Sequence, residues 1–226
     1  MEHLIEKLIL ENTKGLTIIK NNTFNLFGVN LGVLVISFGE SVNIIVSNEH
    51  HDIIKDLVST MENEDIFESP FISLLDSIVS KDNLLLSGPY ILFKSKKLAC
   101  LSKQHNYLIK KVVNDKEYLK KYSEFNNAVN LNYNKEFILY LLLDNNKVIA
   151  ITSANKEENN IYSLGIEVKK DYRNQGIGTY LLKYTANDLI NSNINGYYLV
   201  KVSNINSIKL AISAGLDLVG SMMFTV

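Results

Sequence analysis

Residues 161–182, IYSLGIEVKKDYRNQGIGTYLL, decide how the second half of this chain is read. An apolar, β-branched run ends at Val168, and a short polar and basic stretch follows. Arg173-Asn174-Gln175-Gly176-Ile177-Gly178 then leads into helix-compatible sequence. The pattern predicts a strand, a tight turn and a helix whose first turn carries two glycines. Such a helix start directs several unpaired N–H groups and the positive end of its dipole at one spot, which suits an anion. Gly176 and Gly178 have no side chain to keep a ligand off the backbone. Arg173, Lys169 and Lys170 add positive charge beside them. The competing reading is an ordinary strand-to-helix loop whose glycines serve packing alone.

Two phosphate motifs are excluded. A P-loop needs Gly-x4-Gly-Lys followed by Ser or Thr, and no such Lys is present. A dinucleotide fingerprint needs a third glycine where Leu181 stands, and an acidic residue near the end of the next strand. Neither requirement is met.

The segment resembles motif A of the GNAT superfamily of N-acetyltransferases, Gln/Arg-x-x-Gly-x-Gly/Ala after a strand ending in Val, with Val168, Arg173, Gly176 and Gly178 in register. The likeness continues downstream. Residues 197–202 read as the next strand, residues 203–207 as the cap of another helix, and residues 217–226, after Gly215-Leu216, as a final strand. The resemblance covers roughly residues 105–226. It implies an α/β (α+β) fold, a GNAT-type mixed, mostly antiparallel sheet flanked by helices, with an additional N-terminal α/β region.

Upstream the order agrees: a strand at 107–113, a helix at 115–129, a hairpin of 137–143 and 148–153 across Asp144-Asn145-Asn146-Lys147, a central strand at 161–168 and a helix at 178–190. In that helix Leu181, Leu182, Thr185, Ala186, Leu189 and Ile190 form one stripe, read as core. The roughly 20 residues between the first two strands hold one good helix where the family has two. The N-terminal region is therefore expected to supply part of the acceptor-side wall.

The chemistry the resemblance implies follows from two parallel strands that splay apart around the pantetheine of acetyl-CoA. Backbone groups of Ile166, Glu167 and Val168 would pair with its amides, completing an interrupted ladder. The Val168 N–H would stabilise the oxyanion formed at the thioester. Backbone N–H groups from Arg173, Asn174, Gln175, Gly176, Ile177, Gly178 and Thr179 would hold the pyrophosphate. Asn204 and Ser207 would face the cofactor from the other side. A neutral amine would then attack the thioester directly, catalysed mostly by positioning.

Acid and base do not carry over. The family's acid, a Tyr seven residues after the Asn that follows the strand, falls on Ala211 here. Its base positions fall on Tyr162 and Leu164. A Tyr is a poor base near neutral pH, its free pKa being about 10. Glu167 is the nearest carboxylate, yet strand alternation turns it to the face opposite Tyr162. No catalytic residue is assigned.

With 46% hydrophobic and 21% charged residues the chain has the composition of a packed globular protein. A formal net charge of −1 argues against nucleic acid or an anionic membrane as main partner. Cys100 is the only cysteine, so neither an internal disulfide nor a four-cysteine metal site can form. It is read as a small buried hydrophobe. Residues 1–10 lack a basic n-region and a cleavage site, and no run approaches 18 apolar residues. A cytoplasmic location is expected.

A basic seam at 94–104, KSKKLACLSKQ, separates residues 1–100, an α/β region of uncertain fold that a degenerate GNAT-like half would also fit, from a domain at 105–226. Before it, a helix at 1–12, strands at 16–19, 26–36, 42–46 and 90–93, and helices at 52–61 and 71–79 are expected. Adjacent His50 and His51 read as a helix cap or solvent-facing pair, not metal ligands.

The function expected is transfer of an acetyl group from acetyl-CoA, without a metal, to a small-molecule amine. No nucleic acid or membrane partner is expected, and a homodimer is left open. The alternative is a non-catalytic acyl-CoA-binding regulatory module, motivated by Ala211 and the absent base.

Overall fold

The computed structural model describes residues 15–21, 25–26, 29–30, 32–97 and 107–226. The helix expected at 1–12, and Cys100 with most of the seam, lie outside them. In chain order the described elements begin with β1 (Gly15–Lys20), β2 (Asn25–Leu26), β3 (Val29–Asn30), β4 (Val33–Phe38), β5 (Ser41–Val46), α1 (Asn48–Val58), α2 (Ser69–Val79) and β6 (Leu86–Lys94). They continue with β7 (Leu108–Val113), α3 (Lys116–Lys121), β8 (Phe137–Asp144), β9 (Lys147–Glu158) and β10 (Ile161–Val168). The last are α4 (Ile177–Asn191), β11 (Asn195–Lys201), α5 (Ile205–Ala214) and β12 (Asp217–Thr225). The chain divides into two compact units. One takes the residues up to Leu92 with Lys201–Ser203 and Val219–Val226, and the other takes Phe93–Val200 and Asn204–Leu218.

In the first unit β4 and β5 pair antiparallel, β1 runs parallel to β5, and β12 pairs antiparallel with β4 from Ser221↔Ser37 to Phe224↔Leu34. Nearly every residue of β4 and β5 is buried, as in strands covered on both faces. Ile44, Ile54, Phe71, Leu75 and Val79 share one core cluster, which joins β5 to α1 and α2. Helix α2 starts at Ser69-Pro70, where a missing N–H costs nothing. His50 is not solvent-facing. Only 4% exposed, it bridges the Ser47 hydroxyl at 2.8 Å and Asp82 at 2.8 Å, fixing α1 to the turn after α2. His51 lies against Asp52 at 2.7 Å.

The second unit is the mixed, mostly antiparallel sheet with helices that the sequence predicts. Strands β7, β8, β9 and β10 pair antiparallel in that order, and β11 joins β10 in parallel. Asn145 (φ 46°) and Asn146 (φ 64°) make the β8–β9 hairpin turn with two left-handed residues, which matches the twist of the flanking strands. On one face, Phe125, Ala128, Val129 and Tyr133 pack with Leu139, Leu141 and Ile151. The other face carries α4, which packs against β8, β9, β10 and α5. Its stripe is core as expected: Leu181, Leu182, Ala186 and Leu189 are wholly buried.

The helix expected at 115–129 is only Lys116–Lys121, capped by the Asp115 carboxylate on the Glu117 N–H. The following residues make successive turns instead, Phe125 N–H to Tyr122 and Ala128 N–H to Phe125. Apolar side chains at helical spacing are thus buried by a chain that folds back over the sheet.

Candidate active site

The ladder between β10 and β11 is short. It holds Ile161↔Asn195, Tyr162↔Gly196 and Ser163↔Tyr197, after which both strands continue without pairing to each other. This leaves a fork whose apex is Ser163 and Tyr197. Pairing of β10 with β9 on its other edge runs on to Val168↔Ala150.

Alternation fixes which backbone groups face the fork. The Lys169 N–H donates to Ile149 on the β9 side at 2.9 Å, and Asn160 accepts from Asn195 on the β11 side at 2.7 Å. Leu164, Ile166 and Val168 therefore turn N–H and C=O into the fork, and Gly165 and Glu167 turn theirs to β9. Of the three residues the resemblance offers for the pantetheine arm, Ile166 and Val168 turn backbone groups into the fork, and Glu167 pairs its own with β9. Leu164, which the sequence offered only as a base position, contributes a fork-facing N–H. The Val168 carbonyl accepts from Arg173 Nε at 2.9 Å, leaving its N–H as the group directed at the fork.

Beyond β10 the chain makes a short 3-10 turn at Lys170–Tyr172 and enters α4 through two left-handed residues, Asn174 (φ 61°) and Gly176 (φ 75°). Among the described residues no backbone acceptor takes the N–H groups of Asn174, Gln175, Gly176, Ile177, Gly178 or Thr179. The first closed turn is Tyr180 N–H to the Gly176 carbonyl at 2.9 Å. Arg173, Asn174, Gln175 and Gly176 are exposed, so the helix start opens to solvent. The two glycines separate in role. A Cβ on Gly176 would meet nothing within 4 Å, whereas one on Gly178 would lie 2.8 Å from Leu210 Cδ1 and 3.3 Å from Val168 Cγ2. Gly176 leaves an open approach; Gly178 lets α4 close on α5 and β10. The Gln175 side chain donates to the Asp171 carbonyl at 3.0 Å and braces the turn.

The Glu167 carboxylate is engaged away from the fork. Its Oε2 accepts from the Asn127 N–H at 2.9 Å, and its Oε1 lies 3.8 Å from the Arg173 guanidinium. Tyr162 is 7% exposed, and its hydroxyl reaches Glu136, which is itself paired with Lys156 at 2.6 Å. Burial pushes the Tyr162 phenol above its usual range, so it is no base near neutral pH. Ala211 is wholly buried in α5. Asn204 caps α5, its Oδ1 accepting from the Ser207 N–H at 3.1 Å. Tyr198 of β11 is buried, and burial raises its phenol above the usual range. Among the described residues no group of three His, Cys, Asp or Glu side chains could hold a metal ion. No described helix is long and apolar enough to cross a membrane.

Residues 106–215 match the family model of GNAT acetyltransferases. No curated protein matches the chain. Among solved structures, a Drosophila protein aligns over 88% of this chain and 76% of its own at 14% identity, TM-score 0.50. A functionally unknown conserved protein from Staphylococcus epidermidis aligns over 70% and 68% at 15% identity, TM-score 0.50. A GNAT-family acetyltransferase from Colwellia psychrerythraea aligns over 67% of this chain at 16% identity, TM-score 0.47, and the chain spans 61% of its length. At these identities the likeness to the Drosophila and Staphylococcus epidermidis proteins is one of fold.

Proposed function

We propose, from the premise that residues 106–215 of this chain are a GNAT acetyltransferase domain, that the protein transfers an acetyl group from acetyl-CoA to a small-molecule primary amine. The observation that carries this reading is the fork between β10 and β11, with the open helix start continuing from the same strand. The fork offers N–H and C=O groups in an unfilled ladder, which suits the two amides of a pantetheine arm. The turn offers N–H groups at a helix start, which suits a diphosphate. The residues present therefore fit acetyl-CoA, whose part when bound is to supply an activated acetyl thioester to an attacking amine.

Leu164 and Ile166 would hold the arm, and the Val168 N–H would donate to the thioester oxygen as negative charge develops there. Asn174 to Thr179 would hold the diphosphate through their N–H groups, with Lys169 and Lys170 adding positive charge nearby. Among the described residues no carboxylate or imidazole is engaged at the fork, so these residues would act by orienting the reactants, and the amine would bind uncharged.

The same absence of a base favours a second reading, an acyl-CoA-binding regulatory module without turnover. Calorimetric titration with acetyl-CoA tests both. Binding that is lost in Gly176→Trp supports the site, and thiol release with a panel of amines then separates enzyme from module. Failure to bind acetyl-CoA or longer acyl-CoAs would remove both readings.

A further inference from the structure

We infer that Glu167 is a positioning residue that couples the diphosphate turn to the 122–136 connection, so that the cofactor, once bound, fixes the segment that lies on β10 beside the fork. This rests on the acyl-CoA reading of the site. The carboxylate is only 16% exposed, and its two oxygens serve two segments far apart in sequence. Oε2 holds the connection through the Asn127 N–H at 2.9 Å. Oε1 faces Arg173 at 3.8 Å, and Arg173 Nε holds the Val168 carbonyl at 2.9 Å. One side chain thereby links the connection, the last residue of β10 and the first residue of the phosphate-binding turn.

The connection lies directly on the strand at this point. A Cβ on Gly165 would sit 2.8 Å from the Asn127 carbonyl oxygen and 3.2 Å from the Ala128 Cα, so only glycine allows the approach. On that face of β10, Asn127 and Ala128 cover the backbone beside the fork. A charge-assisted bond to a main-chain N–H is the strong member of this set, and the partly exposed Arg173 contact is the weak one. A diphosphate on the N–H groups after Arg173 would hold the turn in this arrangement, strengthening the hold of Glu167 on Asn127. By linkage, an ordered connection would tighten cofactor binding by the same factor.

Amide hydrogen exchange with and without saturating coenzyme A tests this without any acceptor. In the wild-type protein, coenzyme A is expected to slow exchange about fivefold or more both at residues 174–180 and at 126–129, the low end of usual coupling between sites. Glu167→Gln keeps an acceptor for Asn127 but loses the charge that draws Arg173. It is expected to retain the effect at 174–180 and lose it at 126–129, with weaker coenzyme A binding. Gly165→Ala, which lifts the connection while leaving Glu167 and Arg173 intact, is expected to do the same should Glu167→Gln fail to fold. Slowing at 174–180 alone in the wild type, or slowing at 126–129 that survives either variant, would overturn the coupling and leave the acyl-CoA site standing. Absence of binding would remove the site and the coupling together.

Discussion

Tyr140 of β8 donates its hydroxyl to Asp188 of α4 across 2.7 Å, from a ring with no exposed surface. The same carboxylate oxygen takes Lys111 of β7 at 2.6 Å, so one side chain of α4 is tied to two strands. Asp188→Ala would leave the buried phenol without its acceptor, a cost of about 1–3 kcal/mol. At about 2–4 °C per kcal/mol for a chain of this size, the melting temperature should fall by several degrees. Lys111→Ala, which removes only the half-exposed partner, should cost under about 1 kcal/mol. Thermal melts of the two variants check the ordering.

Alkaline pH should unfold the protein through its buried phenols. Burial first, with the Asp188 bond second, holds Tyr140 above the ordinary range for tyrosine, and burial does the same for Tyr133 and Tyr198. Because the folded values are raised, the stability these groups lend is fully present below about pH 10 and is lost as pH climbs toward the folded values. A phenolate absorbance titration should therefore show a late group of tyrosines that ionise together with loss of tertiary structure. A single smooth titration of all 12 tyrosines near pH 10 would contradict it.

The two motif glycines should respond oppositely. Gly176→Trp meets open space and carries only the left-handed backbone cost of roughly 1–2 kcal/mol, yet should abolish coenzyme A binding. Gly178→Val must displace Leu210 and Val168, so it should lower the melting temperature more than Gly176→Trp does. Calorimetric binding and melting of both variants separate the two roles.

Gly220 of β12 should tolerate nothing larger. A Cβ there would fall 1.9 Å from the Ser37 carbonyl oxygen, which is backbone of β4 and cannot swing aside. Gly220→Ala should break the β4–β12 ladder locally and cost at least 2 kcal/mol by order of magnitude. A denaturant melt with unchanged slope would report that loss.

The strand, turn and helix around Gly176 were legible because their signal is local: β-branched run, glycine spacing, apolar stripe. The β8–β9 hairpin was legible for the same reason, through Asn145-Asn146. The connection after α3 was not. Leu119, Tyr122, Phe125 and Val129 keep a spacing that a helix and a series of packed turns both satisfy, and contact with Ile151 and Leu139 chooses between them. The place of Glu167 was half legible. Alternation gave its face, but the Asn127 N–H that occupies its carboxylate lies 40 residues away. His50 escaped likewise, since Asp82 is 32 residues distant. Gly178 looked like Gly176 because spacing cannot report that Leu210 stands above it.

The pairing of β12 with β4 has a consequence for synthesis. Thr225 accepts from the N–H groups of Gly32 and Val33, a reach of more than 190 residues, and Met222 to Phe224 lie beside Ile36 to Leu34. Strands β4 and β5 leave the ribosome early, but the second partner of β4 is made only after β6 to β11 and the helices between them. During translation the early strands must wait with one edge uncovered, and such edges invite pairing with other chains. The half of the protein that is translated first is therefore the half that is completed last.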